Sequence, residues 1–144
     1  MIGEWTTSHR LYPPLKPTLW YTMLRTSYFA RSARAPGAVS ISRFPPHWYT
    51  GARTFTLAPA PDMLKIDNWE VFRQRYRNEV LATLDPDTVL HELEELVPEG
   101  DIVMLCFEKD RTHCHRGLVA EWFLATKGIR VPEVGEESTA QATL

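Results

Sequence analysis

Eleven consecutive residues, 106–116, hold both cysteines of the 144-residue chain and two of its five histidines, with two acids and three cations. A cysteine at a helix N-terminus beside histidine and arginine has its thiolate favoured, which makes it a better nucleophile. Cys114, followed by His115 and Arg116, fits that description; the plainer alternative is a partly buried structural thiol. Cys106 closes the apolar run 102–105 and reads first as a small buried hydrophobe. Glu108 and His115 are the candidates for moving protons. Arg116, in the first turn of a helix with free amides, is the candidate anion binder, or else one half of a structural ion pair with Glu108.

Sharper templates fit less well. Cys106 and Arg111 have the Cys-x4-Arg spacing of loops that wrap an oxyanion, but Glu108 and Asp110 stand where an anion cradle prefers glycine and small residues. The longer form that would begin at His113-Cys114 fails, because Ala120 occupies the arginine position. Cys106, His113, Cys114 and His115 are metal-ligand types, yet adjacent residues rarely converge on one ion and no Cys-x2-Cys knuckle is present. No metal and no cofactor is therefore expected. A reversible Cys106–Cys114 disulfide is permitted by the spacing and not demanded by it.

The flanking pattern says what must position these groups. The apolar run before Cys106 predicts a strand. Residues 115–127 have a helical period, and Gly128 is a fitting stop. Trp69, Phe72, Tyr76, Val80 and Leu84 recur at the spacing of an amphipathic helix starting at Asn68. Asp85-Pro86 ends that helix and caps the next one, which buries Val89, Leu90, Leu93, Leu96 and Val97. Residues 19–24 and 38–42 read as strands, 28–34 as a helical turn or two, and 129–134 as an edge strand interrupted by Pro132. Residues 43–51 must form a loop, because Pro45 and Pro46 forbid helix or central strand. Alternating strands and helices predict a single α/β domain with a small parallel or mixed sheet flanked by helices. Its boundaries are 21–134, after an extended N-terminal arm over 1–20 and before a polar tail over 135–144. In such a sheet the loop after Cys106 lies at the carboxyl edge, and the end of the 38–42 strand, with Ser42 and Arg43, can lie beside it.

Composition bounds the function more loosely. Hydrophobic residues make up 44% and charged residues 24%, ordinary for a soluble chain. No apolar stretch approaches a membrane span and no signal pattern opens the chain, so a cytoplasmic protein without membrane contact is expected, its cysteines reduced. The net charge of −2 conceals an asymmetry: residues 1–60 carry seven cations against one acid, and residues 61–144 nine against seventeen. The basic segment also has ten of the sixteen aromatics. That composition suits nucleic acid, although charge halves often simply complement each other.

The loop and its surroundings resemble the bacterial and archaeal domain-of-unknown-function family numbered 488. The resemblance rests on residues 26–30, 39–43 with Pro46 and Trp48, 57–59, 76–80, 84–86 and, above all, Cys106-x-Glu108 with Cys114-His115-Arg116 and the helix after it. It covers residues 22–134 and implies a compact α/β domain but no reaction. Its signature maps to Cys106, Glu108, Cys114, His115 and Arg116, with a second cluster at Ser27, Tyr28, Ser42 and Arg43. Arg111 and His113 fall in its variable spacer.

The sequence is thus read as an enzyme, or vestigial enzyme, for an anionic substrate of nucleotide type. Cys114, Glu108 and His115 are its candidate catalytic residues; Arg116, Arg43, Ser42 and Tyr28 are its candidate binding residues. A non-catalytic nucleic-acid-binding module and a thiol redox or metal-sensing protein are the alternatives, so the expected partner is an anionic small molecule or nucleic acid.

Overall fold

Ile102, Val103, Met104, Leu105 and Cys106 are all buried, the signature of a parallel strand covered on both faces. The structure, a computed structural model, describes residues 23–136. In it this strand is the second of four, all parallel, in the order β1-β4-β2-β3. The strands are β1 (Leu24–Tyr28), β2 (Ala38–Ser40), β3 (Ala52–Arg53) and β4 (Ile102–Cys106). Register runs from Leu24 opposite Ile102 to Tyr28 opposite Cys106, and from Ala38 opposite Val103 to Ser40 opposite Leu105. Strand alternation then divides the core. Ile102 and Met104 face a large cluster with Val39, Tyr76, Leu93, Val119 and Phe123; Val103 and Leu105 face a smaller one with Phe29 and Tyr49.

Three helices supply the large cluster. α2 (Trp69–Glu79) starts at Asn68, whose side chain accepts a hydrogen bond from the Val71 amide. α3 (Pro86–Leu96) starts at Asp85, which accepts from the Thr88 amide, with proline in the first turn as its fixed φ favours. α4 (His115–Lys127) stops at Gly128, whose φ of 66° is left-handed and costs a residue without Cβ nothing. The shorter α1 (Phe29–Ser32) follows β1 directly and puts Phe29 into the small cluster. No helix among the described residues is long and apolar enough to cross a membrane.

The structure departs from the sequence pattern in four places. Among the described residues the first strand begins at Leu24, the last residue of the expected 19–24 run, and continues through polar residues to Tyr28. It tolerates them because Thr26 Oγ1 donates to Glu133 at 2.6 Å and the Ser27 and Ser32 hydroxyls bond each other at 2.6 Å. The expected 129–134 strand is not formed. Only an isolated bridge joins Glu133 to Thr26, because Pro132 has no amide to donate and its carbonyl accepts the Thr26 amide instead. The amphipathic helix ends at Glu79 and tightens into a 3-10 turn over Leu81–Thr83. The two-residue strand β3 leaves no hydrophobic run to read. Residues 19–22, with the rest of the arm, and the tail after Glu136 lie outside the described residues.

Candidate functional site

The carboxyl edge of the sheet gathers the end of β4, the chain leaving β2 and the start of α4. Ile41 extends the β2 pairing through its amide to the Leu105 carbonyl, 3.0 Å, which brings Ser42 and Arg43 alongside Cys106. After Cys106 the loop is closed by Asp110, which accepts the Thr112 amide at 2.9 Å and caps a 3-10 turn over Arg111–His113. Gly117, in the first turn of α4, lets that turn pack close: a Cβ there would lie 2.5 Å from the Arg111 carbonyl oxygen. Between these elements and the 59–72 segment lies a cavity of about 460 Å³. Cys106, Cys114, His115, Ser42, Arg43 and Glu108 line its polar side; Trp69, Phe72, Phe44 and Phe107 are among its apolar walls.

Strand end and helix start bring the two sulfurs 2.6 Å apart, with Cys106 2% and Cys114 5% exposed. Both thiols are free. Burial pushes the Cys106 thiol up, but the hydrogen bond from Cys114 and the nearby Arg116 guanidinium outweigh it, so its pKa falls below the ordinary value. Cys114 is displaced the other way, by its hydrogen bond to Cys106, by burial and by repulsion from a second sulfur anion. Of the two, Cys106 is the thiol whose anion is favoured and Cys114 the one whose anion is disfavoured. This reverses the acidity expected from sequence. The position of Cys114 at the helix start counts for less than sharing one proton with a neighbour that the arginine favours.

Arg116 also differs from expectation. It is fully buried and does not line the cavity. Its Nε and Nη2 donate to the Glu133 carboxylate at 3.0 and 2.7 Å, Nη2 to the Lys109 carbonyl at 3.1 Å, and Nη1 to the Glu108 carbonyl. Nη1 also lies 3.9 Å from Cys106 Sγ, and the guanidinium covers the Tyr28 ring at 5.8 Å. The charge thus ties the loop's backbone together and faces the sulfur from behind. Glu133 answers it: burial raises this carboxyl's pKa, and the hydrogen bonds from Arg116 and Thr26 bring it below the usual range. Tyr28 belongs to this buried unit, not to the cavity wall.

The remaining candidates reach the cavity. His115 Nε2 lies 2.9 Å from the Ile41 carbonyl, which can only accept. Nε2 therefore donates to that carbonyl, and the same ring lies within hydrogen-bond reach of Cys114. Arg43 donates Nε to the Pro59 carbonyl at 3.0 Å and stacks on Phe55, while its Nη groups have no protein partner among the described residues. Ser42 Oγ is buried without a hydrogen-bond partner. Glu108 is exposed at the rim. His113 also lines the cavity, with its Nδ1 paired to Asp110 at 3.2 Å. Arg111 points away from Cys106, donating to Thr26 Oγ1 and the Val131 carbonyl, both at 2.8 Å, so the Cys-x4-Arg spacing forms no oxyanion cradle. Among the exposed cations of the basic half, Arg31, Arg34 and Arg53 do not line the cavity.

Cys106, Cys114 and His115 also form a trio whose ligand atoms lie within 4.8 Å of one another, enough to hold a soft divalent cation. Spacing alone argues against such a set; the strand end that lands on the helix start creates it. The residue that sequence reasoning missed is Glu133. Its one signal was an acid alone among the apolar residues of 129–134.

The family model DUF488-N3a, described as the active DUF488-N3 subclade, matches residues 30–127. That span includes the whole Cys106–Arg116 loop and the Ser42-Arg43 segment, and stops short of Glu133. Comparison with curated proteins and with solved structures returned no match. With its signature loop inside the matched span, the chain belongs to the DUF488 family.

Proposed function

We propose that this protein is an enzyme acting on an anionic, nucleotide-like substrate, with Cys106 as the nucleophile. The observation that carries the reading is the shared cavity: two neighbouring thiols, one of them beside the Arg116 guanidinium, a histidine and an arginine with free Nη groups all border one space of about 460 Å³. Arg43 suits a phosphate or carboxylate, and Ser42 Oγ offers a buried polar contact that the protein itself leaves unmet. Trp69 and Phe72 suit the flat face of a base.

In the first step the Cys106 sulfur forms a bond to an electrophilic substrate carbon. The leaving group departs with the bonding electron pair and takes the proton of Cys114. In the second step water attacks the same carbon and the Cys106 thiolate is released. The water's proton passes through His115 Nδ1 to the Cys114 sulfur, which restores the starting state. Glu108, at the rim, accepts hydrogen bonds from substrate hydroxyls. Arg116 touches no substrate in this scheme and acts by holding Cys106 ionised.

The test is a panel of nucleotides and nucleosides incubated with reduced protein, with intact mass and product chromatography as readouts. A substrate-derived adduct that maps to Cys106, or turnover abolished in Cys106→Ser, is the expected result. Turnover undiminished in Cys106→Ser, or no binding of any anionic nucleotide in calorimetry, overturns the reading.

A further inference from the structure

The cavity opens on two sulfurs, and the hydrolytic scheme uses one as nucleophile and the other only as a proton donor. Their arrangement suits a second chemistry. A thiolate attacks a peroxide oxygen far faster than a thiol does, and the resulting sulfenic acid condenses with a thiol within reach. The Arg116 guanidinium stands 3.9 Å from Cys106 Sγ, Cys114 Sγ lies 2.6 Å from it, and both cysteines border a cavity through which a small oxidant can enter. The chain between them already turns back on itself: eight positions separate them, and the Asp110-capped turn closes the loop. The sulfurs need only a small further approach to the bonded distance of about 2.0 Å.

We propose that Cys106 is an oxidation site for hydroperoxides and that Cys114 resolves it, so that the pair forms a reversible disulfide that switches the site off. The proposal takes from the preceding section only that Cys106, beside Arg116, is the attacking sulfur and does not depend on the substrate. The Cys106 sulfur attacks the terminal peroxide oxygen; an S–O bond forms and the O–O bond breaks. The alkoxide or hydroxide that leaves takes a proton from water. Sulfur is oxidised to the sulfenic acid and the peroxide is reduced to alcohol or water. Cys114 sulfur then attacks the sulfenic sulfur, and the hydroxyl leaves as water with the proton of Cys114. Two thiols, one of them ionised, a peroxide and one proton become a disulfide, an alcohol and water. A dithiol reductant reverses the result. In the oxidised state Cys106 no longer offers a nucleophile to the cavity, and Arg116 keeps the Glu133 carboxylate as its counter-ion.

The experiment treats the reduced full chain with stoichiometric hydrogen peroxide, unfolds it in alkylating reagent and maps the cysteines by mass. The expected result is loss of both thiols to a Cys106–Cys114 disulfide, recovered with dithiothreitol. In Cys114→Ser, a sulfenic acid trapped by dimedone appears at Cys106. In Cys106→Ser, Cys114 stays reduced under the same exposure. Two intact thiols in the treated wild-type protein, or oxidation that begins at Cys114 in Cys106→Ser, overturns the proposal. The wild-type measurement stands even if a variant fails to fold. Nucleotide calorimetry on reduced protein reports on the enzymatic reading separately, so either can fail without the other.

Discussion

Arg116 Nη1 lies 3.9 Å from Cys106 Sγ while the same guanidinium grips Glu133 at 2.7 Å. One buried cation therefore faces a cysteine sulfur on one side and a carboxylate on the other. The thiolate fraction grows with pH, so a depressed pKa keeps Cys106 reactive at pH values where an ordinary thiol, near 8.5, is mostly protonated. Iodoacetamide should label Cys106 before Cys114 near neutral pH, and labelling should fall as pH drops through the depressed value. Arg116→Met should shift the Cys106 profile upward, since burial then acts with less opposition. Peptide mapping across pH checks this; equal labelling of both cysteines would contradict it.

Glu133→Gln should destabilise the fold by about 3 kcal/mol, because it leaves a fully buried guanidinium without its counter-ion. The same pair sets an acid limit. Glu133 has a lower pKa folded than unfolded, so its contribution is complete above the ordinary glutamate value of about 4.3 and is lost as pH falls through the folded value. Urea melts between neutral pH and about pH 3 should show this acid loss in the wild type and a flatter profile in the variant.

Gly117→Ala sets two effects against each other. Alanine in a helix is favoured over glycine by roughly 1 kcal/mol. Here its Cβ would fall 2.5 Å from the Arg111 carbonyl oxygen, a backbone atom that cannot swing aside. The steric cost of overpacking, about 1–3 kcal/mol, should win. Thermal melts should show net destabilisation, with faster alkylation at Cys106 as the loop loosens.

Arg43→Gln should weaken binding of an anionic nucleotide about tenfold or more, the usual loss for one charge-assisted hydrogen bond. The uncharged nucleoside should lose far less. Because Arg43 is half-exposed and anchored only through Nε to Pro59, the melting temperature should barely move. Calorimetry on the matched pair of ligands makes the comparison.

How far the sequence carried depended on the range of the interaction. Local signals were legible: the helix expected from Asn68 starts there, Asp85 caps the helix it was expected to cap, Gly128 stops α4, and Cys106 ends a strand. The meeting of Ser42, Arg43 and Cys106 at one sheet edge followed from α/β topology. The ionisation of the thiols was not legible. It depends on a proton shared across eight positions and on a guanidinium whose direction no spacing rule gives. Glu133 escaped for a similar reason: its partners Thr26 and Arg116 lie 107 and 17 positions away.

The clasp at Glu133 has a consequence for where the working unit ends. A chain trimmed after Lys127, where the family match stops, keeps every residue that borders the cavity. It loses the carboxylate that neutralises Arg116, and with it the Pro132 and Glu133 contacts that secure the outer edge of β1. Family boundaries drawn from shared sequence and boundaries drawn from electrostatics therefore differ at this end of the domain, and grafts or minimal versions of the site should run through Glu136, whose side chain accepts the amide of Glu133.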